Sequence, residues 1–330
     1  MASNNVLRSA TVFGMVALLL AGCAGANDDD SSSELVQITV ADNPAAQNAP
    51  LYLGIEDGIF EEHGLDVEVV HQSDIAAIIS GTASGQYDFG SATAVHVINA
   101  NLNDIEIRAV STVNGRTQPD EGPEAGNTLL AGRDSGIAST ADLAGKTVAV
   151  LGLASLNTFT LFELADRAGV DPSSITLVQI PFGQMPAALA SGDVDAAVIQ
   201  SPFTAEAMAD GSTLIAKPNA EVFPDMAILF FNTTQIYIDS NPEVVEAFSD
   251  AMLEAQAAAA ANVERAQQTL VTYLDLTEEA ARETAWTTEG DKRVELEGLA
   301  LAQELLTRYN DQKRTLDVAT LVWPGALETD

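Results

Sequence analysis

The chain has 330 residues, with 48 Asp and Glu against 14 Lys and Arg, for a formal net charge of −34. A surface that acidic repels nucleic-acid phosphates and anionic lipid, which excludes nucleic-acid binding and membrane adsorption by charge. Apolar residues make up 47% of the chain, enough for one large domain or two ordinary ones, and a single Cys excludes a disulfide within the chain.

A basic start at Arg8 and an apolar run over residues 11–20 lead into L-A-G-C at residues 20–23. That order is the layout of a secretory signal with a small-residue cleavage site. The run is shorter than the roughly 20 residues a transmembrane helix needs. A Cys directly behind the site resembles the lipobox of bacterial lipoproteins. The resemblance implies that residues 1–22 are a signal peptide and that Cys23 is lipidated as the mature first residue. Losing residues 1–22 removes one Arg and no acid, so the mature chain is one unit more negative still. Residues 23–34 carry N-D-D-D-S-S-S, a polar, acidic stretch that reads as a flexible linker. The expected location is extracytoplasmic, on the cell membrane through the lipid anchor. Ala24, where an Asp would resemble a retention signal, leaves a Gram-positive membrane and an outer membrane both open.

From residue 35 strand and helix alternate. Residues 36–41 and 65–71 read as strands, the second alternating apolar and polar. Residues 49–57 read as a helix with Pro50 in its first turn and Gly58 at its end. Asp74 caps a predicted helix that runs through residue 84, and residues 87–90 are the next short strand. A strand at 107–113 and an extended segment at 127–132 follow. The order returns about 107–111 residues later: a helical turn at 139–143, strand 146–151, helix 155–168, strand 175–180, helix 184–191 and strand 195–199. A-S-G-Q-Y-D at 83–88 is echoed by A-S-G-D-V-D at 190–195. Two β-α-β-α-β runs with short loops predict parallel, right-handed α/β sheets. Beyond an extended segment at 227–232, Asn241 and Pro242 open a long helix that the Ala-rich run 255–261 continues. Further helices are expected at 278–286 and 294–309, as scaffold.

Four stretches in order carry a family resemblance: A-P-L-Y-L-G-I-E-D-G-I-F-E-E-H-G-L-D-V-E-V-V (49–70), D-L-A-G-K-T-V-A-V (142–150), A-A-L-A-S-G-D-V-D-A-A-V-I-Q-S-P-F (187–203) and N-P-E-V-V-E-A-F (241–248). They resemble solute-binding proteins of the nitrate/sulfonate/taurine type of ABC importer. The resemblance implies an α/β, two-lobed periplasmic-binding-protein-like (type II) fold, a Venus flytrap with one ligand in the cleft between lobes. Residues 35–131 and 227–330 would form lobe 1 and residues 132–226 lobe 2. It also implies a small-molecule solute, an ABC-importer permease and, through it, an ATPase as partners. Sulfonates, taurine, nitrate, aromatic carboxylates and pyrimidine precursors are all carried by such proteins. Members often have an acid before the Pro-Phe pair; here Gln200 and Ser201 precede Pro202 and Phe203.

In open α/β sheets, ligands sit beyond the carboxyl ends of the strands, near helix N-termini. The candidates there are Asn43, Gln47, Asn48, Ser91, Thr93, Ser155, Asn157, Gln200 and Phe203, with turn chemistry or helix capping as the competing role of each. Asn157 is the foremost, because its amide both donates and accepts. The helices that follow residues 90–93 and 154–157 are expected to face each other across the cleft, their unpaired N–H groups offering a seat for an anionic or strongly polar group. Arg116 is the nearest cation. His63 reads as a solvated helix end, while His71 and His96 could line the cleft. No Cys/His metal spacing, nucleophile elbow, phosphate loop or dinucleotide fingerprint occurs, so neither metal nor cofactor is expected. The alternative is an enzyme on the same fold, resembling thiamine-pyrimidine synthesis proteins. Those rely on a Cys-rich segment and a His, whereas this chain has one Cys and an export signal. Replacing Cys23 by Ala is expected to release the protein into the medium or leave it unprocessed; a variant that is cleaved correctly and still pellets with membranes would contradict the anchor.

Overall fold

A computed structural model describes residues 35–114, 126–201, 203–284 and 293–327. The leader, Cys23, the linker to residue 34, Arg116, Pro202 and the end of the helix expected at 278–286 lie outside the described residues.

The first part of the chain runs β1 (Val36–Asp42), α1 (Ala49–Glu56), α2 (Ile59–Glu62), β2 (Leu65–His71), α3 (Ile75–Ala83), β3 (Phe89–Thr93), α4 (Ala94–Leu102) and β4 (Ile107–Thr112). The second runs β5 (Asn127–Ala131), β6 (Thr147–Val150), α5 (Leu156–Arg167), β7 (Thr176–Gln179), α6 (Met185–Ser191), β8 (Ala196–Gln200), α7 (Phe203–Ala209), β9 (Thr213–Ala216) and α8 (Pro218–Val222). Last come β10 (Leu229–Thr234), α9 (Gln235–Ser240), α10 (Pro242–Ala261), α11 (Val263–Leu274), α12 (Glu278–Glu283) and α13 (Leu296–Tyr309).

The strands form two sheets of the same design, ordered β2-β1-β3-β10-β4 and β7-β6-β8-β5-β9. In each, a central strand pairs in parallel with both neighbours (β1 with β2 and β3, β6 with β7 and β8). One antiparallel strand completes each sheet: β10 lies between β3 and β4, and β5 between β8 and β9. The two extended segments foreseen between the halves are therefore these inserted strands. A boundary at residue 131 gives Asn127–Ala131 to the first lobe, but the segment hydrogen-bonds within the second sheet.

The echoed hexamers have one physical meaning. Gly85 and Gly192, at φ 74° and 78°, turn the chain out of α3 and α6 through the left-handed region that glycine tolerates. The Asp that follows then staples the next strand to the first. Asp88 accepts the Thr39 N–H at 2.8 Å and donates its own N–H to the Thr39 carbonyl at 2.9 Å. Asp195 does the same with Thr147, at 2.8 Å in both directions.

Aromatic packing fills the first sheet's core. Phe248 of α10 is fully buried, stacks on Phe89 at 4.0 Å and meets Phe231 edge-on at 5.5 Å. Gly54 lets α1 pack close against α10; a Cβ there would lie 2.9 Å from that of Ala255 and 2.8 Å from the Phe60 ring. The C-terminal helix α13 packs against both α4 and α5. Glu163 of α5 receives Arg308 at 2.6 Å, the Tyr309 hydroxyl at 2.9 Å and Arg167 at 2.8 Å. Burial pushes the Glu163 carboxyl up, but these donors outweigh it and hold the group below its ordinary range. A helix read as scaffold of one lobe thus ties together helices belonging to both sheets.

Several boundaries differ from the sequence reading. β3 starts two residues later than expected and reaches Thr93, so Ser91 and Thr93 are strand residues rather than loop. Asn241 leaves its side chain out of capping α10 and donates backwards to the Tyr237 carbonyl. α11, capped by Asn262, follows the Ala-rich helix as a separate element. Residue 294 bridges to Leu327 ahead of α13 rather than beginning that helix. No helix among the described residues is long and apolar enough to cross a membrane.

Asp88→Ala and Asp195→Ala each remove a charged acceptor from a strand N–H. Each is expected to lower unfolding stability by about 1–3 kcal/mol. Urea denaturation tests this, and a loss under about 0.5 kcal/mol in both would contradict the staple.

Candidate functional site

At the carboxyl ends of the first sheet, β1 stops at Asp42 and the chain turns into α1. Asn43, Asn48 and Ser91 are brought together there: the Asn43 N–H donates to Ser91 Oγ at 3.2 Å, and Asn48 Nδ2 donates to the Asn43 carbonyl at 2.7 Å. Asn43 Nδ2 reaches the carbonyls of Gln72 and Ser73, both at 3.2 Å. Asn48 is buried and its Oδ1 has no hydrogen-bond partner among the described residues. Gln47 is half-buried with no side-chain hydrogen bond among the described residues. Thr93 precedes α4, but its hydroxyl goes to His96 Nδ1 at 2.7 Å rather than capping the helix. The first N–H of α4, from Ala94, is taken by the Ile228 carbonyl at 2.9 Å. That helix end is therefore less open to an anion than the sequence suggests. Burial pushes the His96 imidazole down, keeping it neutral at pH 7. His63, expected to be solvated, lies 2.9 Å from Glu254 Oε2 of α10.

A second set of groups stands behind these residues. Asp42 is fully buried, a costly place for a carboxylate unless both oxygens are bonded. The Tyr52 hydroxyl donates to Oδ2, and His71 Nδ1 lies 2.5 Å from Oδ1. An ionised carboxylate only accepts, so the His71 Nδ1 carries the proton. The Asp42 hydrogen bond raises the His71 pKa and outweighs burial, which lowers it. Burial first, then the Asp42 charge, push the Tyr52 hydroxyl far above its ordinary value, so it remains a donor. Tyr273 of α11 stacks on Tyr52 at 4.3 Å, with ring planes 2° apart.

The second sheet presents a chain of amides. Asn157 Nδ2 donates to Asn127 Oδ1 at 3.1 Å, and Asn157 Oδ1 accepts from Asn219 Nδ2 at 3.0 Å. Thr160 donates to Asn219 Oδ1 at 2.9 Å. Asn127 is the register partner of Gln200, so this chain lies at the carboxyl end of β8. The Gln200 side chain is half-buried and makes no hydrogen bond among the described residues. Ser155 caps α5, accepting the Thr158 N–H at 3.4 Å, while the Thr158 hydroxyl folds back onto the Gly152 carbonyl at 2.6 Å. Phe203 lies at the start of α7 and belongs to the apolar cluster around Leu189 and Ile199. Asn157 is thus neither the helix cap nor a free amide; both its ends are engaged. His71, which the sequence offered only as a residue that could line the cleft, pairs with Asp42. Asp42, Tyr52, Tyr273, Asn127 and Asn219 were not among the sequence candidates, although Asp42 opens the very turn that yielded Asn43, Gln47 and Asn48.

Residues 45–266 match the family described as "NMT1/THI5 like", about two thirds of the chain. The chain belongs to this family. It is 28% identical over 262 residues to a formylaminopyrimidine-binding protein of Halalkalibacterium halodurans, covering 78% of this chain and 76% of the relative. Over 152 residues it is 27% identical to a 4-amino-5-hydroxymethyl-2-methylpyrimidine phosphate synthase of Aspergillus parasiticus, covering 46% and 41%. Among solved structures it is similar to the alkanesulfonate-binding protein of Xanthomonas axonopodis pv. citri bound to MOPS. That match has a TM-score of 0.70 at 18% identity, covering 88% of this chain and 99% of the other. The fold is the two-lobed periplasmic-binding-protein fold that the sequence resemblance implied.

Asn157→Ala strands an Asn219 donor and an Asn127 acceptor together. It is expected to cost about 1–3 kcal/mol of stability, against about 1 kcal/mol for Ser155→Ala, which removes only a cap. Chemical denaturation of the two variants checks the order; Ser155→Ala proving the worse would contradict the amide chain.

Proposed function

We propose that this protein is the extracytoplasmic solute-binding component of an ABC importer. It would capture one small polar solute between the strand ends of its two sheets and deliver it to a membrane permease, held nearby by a lipid on Cys23. The observation that carries this reading is that each sheet ends in a cluster of amides and hydroxyls: Asn43, Asn48 and Ser91 in one, Asn127, Asn157 and Asn219 in the other. Such groups recognise a ligand by hydrogen bonds and move no proton or electron pair. The family, and a relative whose name says it binds formylaminopyrimidine, support the same reading.

The solute we infer is a neutral, hydrogen-bonding ring compound of the aminopyrimidine kind. Both clusters consist of uncharged donors and acceptors, and the Asp42–His71 pair beside them balances its own charge. A sulfonate or nitrate would gain less from such groups than from a cation or an open helix end, and the first N–H of α4 is already bonded. Catalysis by a pyrimidine-synthase relative is the competing reading, and turnover separates the two.

A formylaminopyrimidine at a hundredfold excess over its dissociation constant is expected to stabilise the protein by about 2.7 kcal/mol. Tm should rise by several degrees, and the radius of gyration should shrink as the lobes close. Taurine, nitrate and an alkanesulfonate serve as the comparison. Stabilisation by one of these and not by the pyrimidine would overturn the solute class. Consumption of the pyrimidine would overturn the binder.

A further inference from the structure

Asp42 and His71 are register partners on β1 and β2, and the two strand ends they close carry one half of the solute site proposed above. The Gln72 N–H donates to the Asp42 carbonyl at 2.8 Å, and the Gln72 carbonyl accepts Asn43 Nδ2. Asn43 in turn is joined to Ser91 and Asn48. Asp42 is therefore tied through its own backbone to Asn43 and Gln72, and through Asn43 to Asn48, while its carboxylate is anchored by Tyr52 and His71.

That carboxylate is fully buried and, among the described residues, has two side-chain partners, Tyr52 and His71. Tyr52 keeps its proton throughout the physiological range. His71 is the partner whose charge changes there. Its side chain is 36% exposed, so it exchanges protons with solvent, yet its ring is fixed edge-on to Tyr52 at 6.1 Å. The titratable side chains around it are Asp42 from β1 and Tyr52 from α1, and α11 contributes the Tyr273 backbone, a hydrogen bond to which also raises the His71 pKa. Glu56, which acts on Tyr273, is paired with Arg265 at 2.8 Å.

We propose that His71 is a positioning residue of the solute site: as an imidazolium it holds Asp42, and with it Asn43, Asn48 and Gln72, by a charge-assisted hydrogen bond, and once neutral it keeps only the weaker Nδ1–H bond, so that solute capture weakens as His71 loses its second proton. This rests on the reading of those strand ends as a solute site. The sign follows from linkage. The folded protein holds the His71 proton more tightly than the unfolded chain, whose value is about 6.5. The stabilisation is therefore fully present below about pH 6.5 and is lost as pH rises through the higher folded value.

The test uses the full chain. Imidazole resonances are titrated by NMR, with the His71 signal identified by its loss in His71→Gln. A His71 pKa above the ordinary 6.5 is expected, falling back towards it in Asp42→Asn. A pKa at or below 6.5, or one unmoved by Asp42→Asn, overturns the lock. Melting of the ligand-free protein between pH 6 and pH 9 should show the gap between wild type and His71→Gln closing as pH rises; a constant gap overturns it. Affinity for the formylaminopyrimidine probe should fall at least about threefold over that range in wild type and stay flat in His71→Gln. Equal pH dependence in both overturns the positioning role. A probe that binds nowhere in the range contradicts the solute reading instead, while the resonances and melting curves still decide on the lock.

Discussion

The first sheet cannot be completed by the first part of the chain. The first lacks a partner between β3 and β4 until β10 arrives, after every strand of the second sheet has been laid down. The second is complete within β5–β9, with β5, the first strand after β4, inserted between β8 and β9. Unpaired strand edges leave rows of orphaned N–H and C=O groups, so each insertion is enforced by backbone hydrogen bonding. The chain thus crosses between the two halves twice, from β4 into β5 and back into β10. The insertion also fixes where the functional groups lie. Because β5 runs antiparallel, its first residue, Asn127, lands beside the carboxyl end of β8, where Gln200 and the Asn157 amide are.

The parallel strands supply the other half of the architecture. The Asp–Thr staples at Asp88 and Asp195 align the start of β3 against β1 and of β8 against β6. With the starts aligned, the opposite ends become shared edges from which loops lead into α1, α4 and α5. Electrostatics is local at those edges. The chain carries a net charge of −34, but the buried Asp42 is balanced by His71 and by a hydrogen bond from Tyr52, and the second cluster is neutral. An acidic exterior and a charge-balanced recognition edge coexist because the Debye length, about 8 Å at physiological salt, screens the first from the second.

The duplication was legible because turn chemistry is local. A-S-G-Q-Y-D and A-S-G-D-V-D encode a left-handed glycine and a stapling Asp, and no distant contact is needed to recognise either. Strand ends were legible too, which is why Asn43, Asn48 and Ser91 emerged as a group. The use of each side chain was less so. Asn157 carries the right chemistry for a ligand, but its partners are Asn127 and Asn219, 30 and 62 residues away. Tyr273 sits in a helix whose polar sequence, V-E-R-A-Q-Q-T, hid it behind the Ala-rich run before it. Asp42 looked like the end of a strand; that it is buried and paired with His71 depends on the register of β2 against β1, which a period-two pattern cannot set by itself.

The central claim is that one solute joins the strand ends of both sheets. Hydrogen–deuterium exchange with and without saturating formylaminopyrimidine tests it most directly. Slowed exchange is expected together at residues 43–48 and 91–94 of the first sheet and at residues 152–158 and 200–201 of the second. Protection confined to one sheet's edge, or appearing only on helices away from both, would contradict the account.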